Sequence, residues 1–279
     1  MSRTWTSDLP KPHPVGLSGW VRVAFRGACL SGILVAGLAV LLLVRLVERP
    51  LYGVQRPWTP FIVQAVCRLA FPLLGITYRS HGRRMTEPGA VVANHASWLD
   101  IFALNARKRV YFVSKAEVAN WPAIGWLARS VGTVFINRSA QQAKAQKALF
   151  EVRLKAGHKL LFFPEGTSSD GRRVLPFKST LFAAFFEPEL HEVTHIQPAT
   201  VCWHAPEGAD PRFYGWWGEM GFGLHLVQVL SAAQQGRVDV IYHPPVAVAD
   251  FPDRKSLAQH CEATVRGGLN EALGTATPV

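Results

Sequence analysis

Apolar positions are unevenly spread along the 279-residue chain. Between Gly27 and Val44 runs GACLSGILVAGLAVLLLV, eighteen residues without a charge, with Arg22 and Arg26 before it and Arg45 and Arg49 after it. That length just reaches what an α-helix needs to cross the hydrocarbon core of a bilayer. A cleaved signal peptide fits poorly, because the run starts late, is long and lacks a clear small-residue cleavage site. A second apolar stretch, Trp58–Ile76, is broken by Arg68, Pro60 and Pro72 and does not easily span. A hairpin dipping into one leaflet and a single span satisfy this pattern equally, and the flanking charges are too balanced to set an orientation. Residues 1–76 therefore read as a loose leader followed by membrane-anchoring helices.

From Thr77 the pattern changes to short β-rich runs separated by helical ones. Strands are predicted at Thr77–His81, Ala90–Asn94, Val110–Ser114, Thr133–Asn137, Lys159–Phe163, His195–Cys202 and Arg237–Tyr242. Ala140–Ala156, rich in Ala, Gln, Lys and Leu and followed by Gly157, predicts a helix, as does Ser256–Leu273. Strands alternating with helices predict an α/β domain over residues 77–279, built on a largely parallel sheet with flanking helices.

Composition narrows the class. Hydrophobic residues make up 49% and charged residues 18%, apolar for a soluble enzyme and too polar for a multi-span membrane protein. The net charge is +11, and residues 1–60 hold seven Lys or Arg against two acids. Basic residues beside an apolar helix favour an anionic lipid surface by about 1 kcal/mol each. No nucleic-acid recognition motif and no Lys/Arg-rich run is present, so nucleic acid is not expected as a partner. The four cysteines, Cys29, Cys67, Cys202 and Cys261, form no C-x-x-C pair and suggest neither a disulfide framework nor a zinc knuckle.

Two segments end buried-looking strands with polar residues. In Ala90-Val91-Val92-Ala93-Asn94-His95-Ala96-Ser97-Trp98-Leu99-Asp100 a strand runs into a turn, and a helix is predicted to start near Ser97, a good N-cap. Asp100 then points back at the imidazole, fixing its tautomer and leaving the other nitrogen free to take a proton. In Leu160-Leu161-Phe162-Phe163-Pro164-Glu165-Gly166-Thr167 the strand stops at Pro164, leaving Glu165 and Gly166 at the sheet's carboxyl edge, where open α/β sheets bind ligands. Gly166 allows close backbone approach, and Glu165 is placed to grip a hydroxyl.

Together these segments resemble the glycerolipid acyltransferase family, which contains the lysophosphatidic acid acyltransferases. The resemblance runs from about Val91 to Val201 and rests on four blocks in order: N-H-x4-D at Asn94–Asp100, Lys115 with Glu117 ahead of Gly132-Thr133-Val134-Phe135-Ile136-Asn137-Arg138, Phe163-Pro164-Glu165-Gly166-Thr167, and the apolar strand with Pro198. It implies His95 as general base on an acceptor hydroxyl with Asp100 orienting it, and direct attack on an acyl thioester with no acyl-enzyme. It further implies Glu165, Gly166 and Thr167 at the acceptor, Arg138 and Lys115 in substrate binding, and Pro198 lining the acyl site. No cofactor and no metal are expected; acyl-carrier protein or acyl-CoA serves as co-substrate, and membrane lipids and a lysolipid acceptor are the partners. A bacterial-type inner membrane with the catalytic domain facing the cytoplasm follows from the same resemblance.

One position departs from the pattern. Members that acylate lysophosphatidate usually carry Arg after F-P-E-G-T, where this chain has Ser168, and serine cannot replace a guanidinium that grips phosphate. The run Thr167–Gly171 and the aromatic stretch Phe213-Tyr214-Gly215-Trp216-Trp217-Gly218-Glu219-Met220 look like the branch that acylates lyso-ornithine lipid, whose amine suits an acid such as Asp170 or Glu219. Arg172, Arg173, Lys178 and Lys115 stand as replacements for the missing Arg, so a dedicated 1-acylglycerol-3-phosphate acyltransferase is the alternative. His191-Glu192-Val193-Thr194-His195 spells H-E-x-x-H, which makes a membrane zinc metalloprotease the rival from another reaction class. That motif needs a helix presenting both imidazoles on one face, and the β-branched residues here disfavour it.

Overall fold

The structure, a computed structural model, describes residues 5–10, 12–121, 124–136 and 143–275. Its first half runs α1 (Leu17–Tyr52), α2 (Thr59–Leu74), β1 (Thr77–His81), β2 (Gly89–Ala93), α3 (Asp100–Arg107), β3 (Tyr111–Lys115), α4 (Ile124–Val131) and β4 (Val134–Ile136). Then come α5 (Ala143–Lys155), β5 (Lys159–Phe162), α6 (Pro188–His191), β6 (His195–His204), α7 (Phe222–Ser231), β7 (Arg237–Tyr242), β8 (Val246–Ala247) and α8 (Arg254–Ala272). All seven predicted strands are present, with ends within two residues of those expected. The two-residue β8 is too short to show a period in the sequence.

The strands form one sheet in the order β1-β7-β6-β2-β5-β3-β4, with β8 paired to β6. Pairing is parallel except where β6 meets β7 and β8. β2 lies between β5 and β6, and its five residues are all buried, as expected of a strand covered on both faces. Gly89 opens β2 at φ 140, and a Cβ there would lie 1.9 Å from the His195 carbonyl oxygen, so only glycine lets β6 begin this close. On one face Val91, Ala93, Val201, Trp203, Val238 and Val240 share a core with residues of α2, α3 and α7. On the other, Val92, Leu160, Phe162 and Ile196 pack with α8, α5 and the 3₁₀ turn at Ser179–Phe186.

Two helix starts differ from the sequence reading, each for a visible reason. α8 begins at Arg254 because Asp253 accepts from the N–H groups of Lys255 and Ser256, forming a capping box two residues earlier than expected. α3 begins at Asp100 and not near Ser97, and no side chain caps it. The Asp100 carboxylate reaches backward instead, to the N–H groups of Ala96 and Ser97.

The boundary expected at residue 76 falls in the turn between α2 and β1, and the core crosses it: Cys67, Ala70, Phe71 and Leu74 of α2 join the same cluster as β2 and β6. α1, 36 residues and about 54 Å long at 1.5 Å per residue, packs along α2 and α7. The α1–α2 turn closes on Glu48, whose fully buried carboxylate accepts from the N–H groups of Trp58 and Thr59 and from the Thr59 hydroxyl, capping α2. Arg22 and Arg26, expected beside lipid, donate instead to the carbonyls of Leu230, Ser231 and Ala232 at the end of α7. Their charges oppose the negative end of that helix.

Candidate active site

At the carboxyl end of β2 the chain leaves the sheet, and the Asn94 side chain carries the pairing one step further. Its amide donates to the Val201 carbonyl at 2.9 Å and accepts from the Val201 N–H at 2.8 Å. His95 follows in the turn between β2 and α3. Its Nδ1 lies 2.8 Å from Asp100 Oδ2. A carboxylate only accepts, so Nδ1 carries the proton and Nε2 presents its lone pair. The His95 side chain is 20% exposed and Asp100 wholly buried. The same Asp100 oxygen accepts from Ala96 N and Ser97 N, and Oδ1 accepts from the Trp203 indole at 2.7 Å. Beneath the imidazole lies the Phe163 ring, 4.0 Å away and 11° from parallel. His95 is thus fixed in tautomer by Asp100 and in plane by Phe163.

Glu165, expected to hold the acceptor, sits under this arrangement and is 1% exposed. One carboxylate oxygen accepts from the His95 backbone N–H at 2.7 Å and the other from Leu175 N–H at 2.9 Å, tying the base loop to the following one. Burial pushes its carboxyl up to about 8; the Leu175 and His95 N–H groups oppose this, and the Asp100 charge reinforces it. The folded chain therefore keeps a proton that the unfolded chain releases above its ordinary value of 4.5. Stability from this group is complete below that value and lost as pH rises towards about 8. Replacing Glu165 with Gln is expected to remove that slope from melting temperature against pH; an unchanged slope would show the carboxyl ionised throughout.

The other predicted residues spread along the carboxyl edge. Gly166, at φ 73, and Thr167 are half-buried in the turn after Glu165. Lys115 ends β3, two strands from β2, in register with Ile136 of β4. Arg138 lies outside the described residues. Pro198 is not brought to His95. It sits inside β6 opposite Val92, at the gap where β6 changes partner from β8 to β7, so its missing N–H costs no ladder bond, and its carbonyl accepts from His243 N. Strand alternation puts it on the face of Thr200, which donates to Val265 of α8, and away from Trp203 and Asp100.

The sequence reading missed the roles of Trp203 and Phe163, and the aromatic segment packs against the first of them through Tyr214. Tyr214 and Trp217 are almost fully buried. Trp216 N donates to the Ala96 carbonyl at 2.8 Å, and the Ser168 hydroxyl donates to the Trp216 carbonyl at 2.5 Å. Trp98 donates to His225 Nδ1, whose other nitrogen faces the Phe213 carbonyl; burial holds His225 neutral, down to about 4. A buried Trp whose N–H requires an acceptor is the one signal that would have pointed to Trp203. The H-E-x-x-H stretch is split: α6 ends at His191 and His195 opens β6, so no single helix carries both imidazoles.

An imidazole oriented by a buried carboxylate at the carboxyl edge of a mostly parallel sheet is placed to take a proton from a hydroxyl. The family model described as Acyltransferase matches residues 76–202. The chain is 58% identical over 268 residues to the lyso-ornithine lipid O-acyltransferase of Rhodobacter capsulatus, covering 96% of this chain and 97% of that protein. It is 37% identical over 220 residues to the lyso-ornithine lipid O-acyltransferase of Brucella abortus, covering 74% and 80%. The crystal structure of the 1-acyl-sn-glycerophosphate (LPA) acyltransferase of Thermotoga maritima superposes with a TM-score of 0.65 at 20% identity, covering 93% of this chain and 97% of that one, a likeness of fold. The chain belongs to the acyltransferase family and is an acyltransferase. With α1 long and apolar enough to cross a bilayer, it is membrane-associated.

Proposed function

We propose that the chain transfers a fatty acyl group from an acyl thioester to the hydroxyl of lyso-ornithine lipid, giving ornithine lipid. The observation that carries this reading is the 58% identity to the R. capsulatus enzyme over almost the whole of both chains. His95 Nε2 takes the proton of the acceptor hydroxyl as its oxygen attacks the thioester carbonyl. The new C–O bond forms, the C–S bond breaks, and the imidazolium returns its proton to the departing thiolate. Asp100 stabilises the imidazolium, and Glu165 positions the His95 loop. The thioester is carried by acyl-carrier protein or coenzyme A, which places the catalytic domain on the cytoplasmic side. No metal or nucleic acid enters this scheme.

The head group has support of its own. Asp170 is buried and already paired with Arg173, and it accepts from Arg172 N–H. Glu219 is exposed and has no partner among the described residues, so it is the acid available to the ornithine amine. Ser168 offers lysophosphatidate no charge. A charge-assisted hydrogen bond contributes about 1.5–3 kcal/mol, or about one to two orders of magnitude in binding. Lyso-ornithine lipid and lysophosphatidate supplied side by side to purified membranes are expected to show preference for the former, and Ser168→Arg to shift the ratio of kcat/KM towards the latter. Activity on lysophosphatidate alone would make the chain a 1-acylglycerol-3-phosphate acyltransferase, with Arg172, unpaired among the described residues, as a phosphate partner.

A further inference from the structure

The outer face of α2 is apolar but not wholly so. Phe61 and Leu69 are each 53% exposed, Pro72 is exposed on the same side, and Arg68 stands among them. Beside this stripe, between α2, the end of α3 and the start of β1, lies an open groove of about 350 Å³ lined by Arg68, Phe71, Pro72, Ile76, Tyr78 and Arg107. Its floor is apolar and aromatic, and its only charged walls are guanidinium groups.

The surrounding charge is one-signed. Arg107, Arg84 and Arg68 all bear electrostatically on the Tyr78 hydroxyl, and Arg84 and Arg107 also on that of Tyr242. Arg109 lies over the Phe61 ring at 4.2 Å, extending the row along α2. Among the described residues none of these four arginines forms an ion pair. Part of their role is structural: Arg68 donates to the Ala106 carbonyl at 2.6 Å and Arg84 to the Arg107 carbonyl at 2.8 Å, closing the end of α3. A guanidinium has five N–H donors, so each keeps most of its donors for another partner. Like charges gathered on a half-apolar groove repel one another until an anion joins them.

We propose that this groove binds a glycerophospholipid of the surrounding bilayer with an anionic head group, its phosphate between Arg68 and Arg107 and its chains along Phe61, Leu69 and Pro72. Arginine forks match phosphate oxygens two at a time. The occupant is a lipid and not a soluble anion because the charged wall continues directly into an exposed apolar helix face. It is not the acyl acceptor: Arg107 and Asp100 stand at opposite ends of α3, about 10 Å apart along the axis. The groove therefore seats the enzyme on anionic lipid independently of turnover.

The test uses the full chain in phosphatidylcholine vesicles containing trace photoactivatable phosphatidylglycerol or photoactivatable phosphatidylcholine. Label from the phosphatidylglycerol probe is expected on residues 68–78 and 101–107. Arg68→Gln with Arg107→Gln should lower that labelling by about twenty- to thirtyfold, from about fivefold per basic residue. Arg79→Gln, a single charge loss on the opposite side of β1, should leave it unchanged, where Arg68→Gln alone should lower it about fivefold. Equal labelling by both probes, or labelling insensitive to the double substitution, overturns the proposal. Displacement of the label by inorganic phosphate overturns the lipid assignment. If the double variant fails to fold, the labelled positions in the unmodified chain decide, and label elsewhere counts against the groove. Acyl transfer, read separately, is no part of this outcome.

Discussion

Removing the imidazole in His95→Ala is expected to lower acyl transfer by about 10²–10⁴-fold, the range for loss of a positioned general base, with little change in melting temperature. The reason for the second half is structural. The His95 side chain is partly exposed and packs on Phe163 alone at its face, while the loop is held through backbone: its N–H by Glu165 and its carbonyl by Ser169 N–H. Alanine keeps both bonds. Rates measured in membranes at matched protein level check this, and turnover like that of the unmodified chain would remove His95 from the chemistry.

Asp100→Asn is expected to have as large an effect on rate and, unlike His95→Ala, a second effect on stability. Where an Asp orients a catalytic imidazole, its amide replacement lowers kcat by about 10⁴. Here Asp100 Oδ2 receives three donors and Oδ1 the Trp203 indole. An amide turned to keep the Trp203 bond sets its NH₂ against the N–H groups of Ala96 and Ser97. Each buried donor left unsatisfied costs about 1–3 kcal/mol. The variant should therefore melt well below the unmodified chain, and adding Trp203→Phe should cost less in the Asn background than alone. Full additivity in that double-mutant cycle would mean that the indole bond does not help hold Asp100.

How much of this was legible in the sequence depends on distance along the chain. His95 and Asp100 were readable because one turn of chain joins them, and the strand that delivers them is a run of buried residues. The sheet was readable because most of its strands bury both faces. Trp203 and Phe163 were not, since their partners, Asp100 at the start of α3 and His95 in the turn after β2, lie far away along the chain. Glu165 was read as open to the acceptor at the sheet's carboxyl edge, whereas its side chain is buried and holds the His95 and Leu175 N–H groups. Its burial follows from Leu175, ten residues on, folding back over it. The face occupied by Pro198 depends on where β6 changes neighbours, which no local pattern records. Arg22 and Arg26 look like lipid contacts until α7, some two hundred residues later, presents its carbonyls to them.

The bonds joining Ser168 to Trp216 and Trp216 to Ala96 have a kinetic consequence. Ser168, proposed above to distinguish head groups, and Ala96, next to His95, both hang on the residue Trp216, so a side chain that moves Trp216 to admit a new head group also moves the backbone beside His95. Gains in selectivity at position 168 should then appear in kcat together with KM. Evolution between acceptor classes would proceed through paired changes at 168 and 216, leaving few intermediates that serve both substrates well.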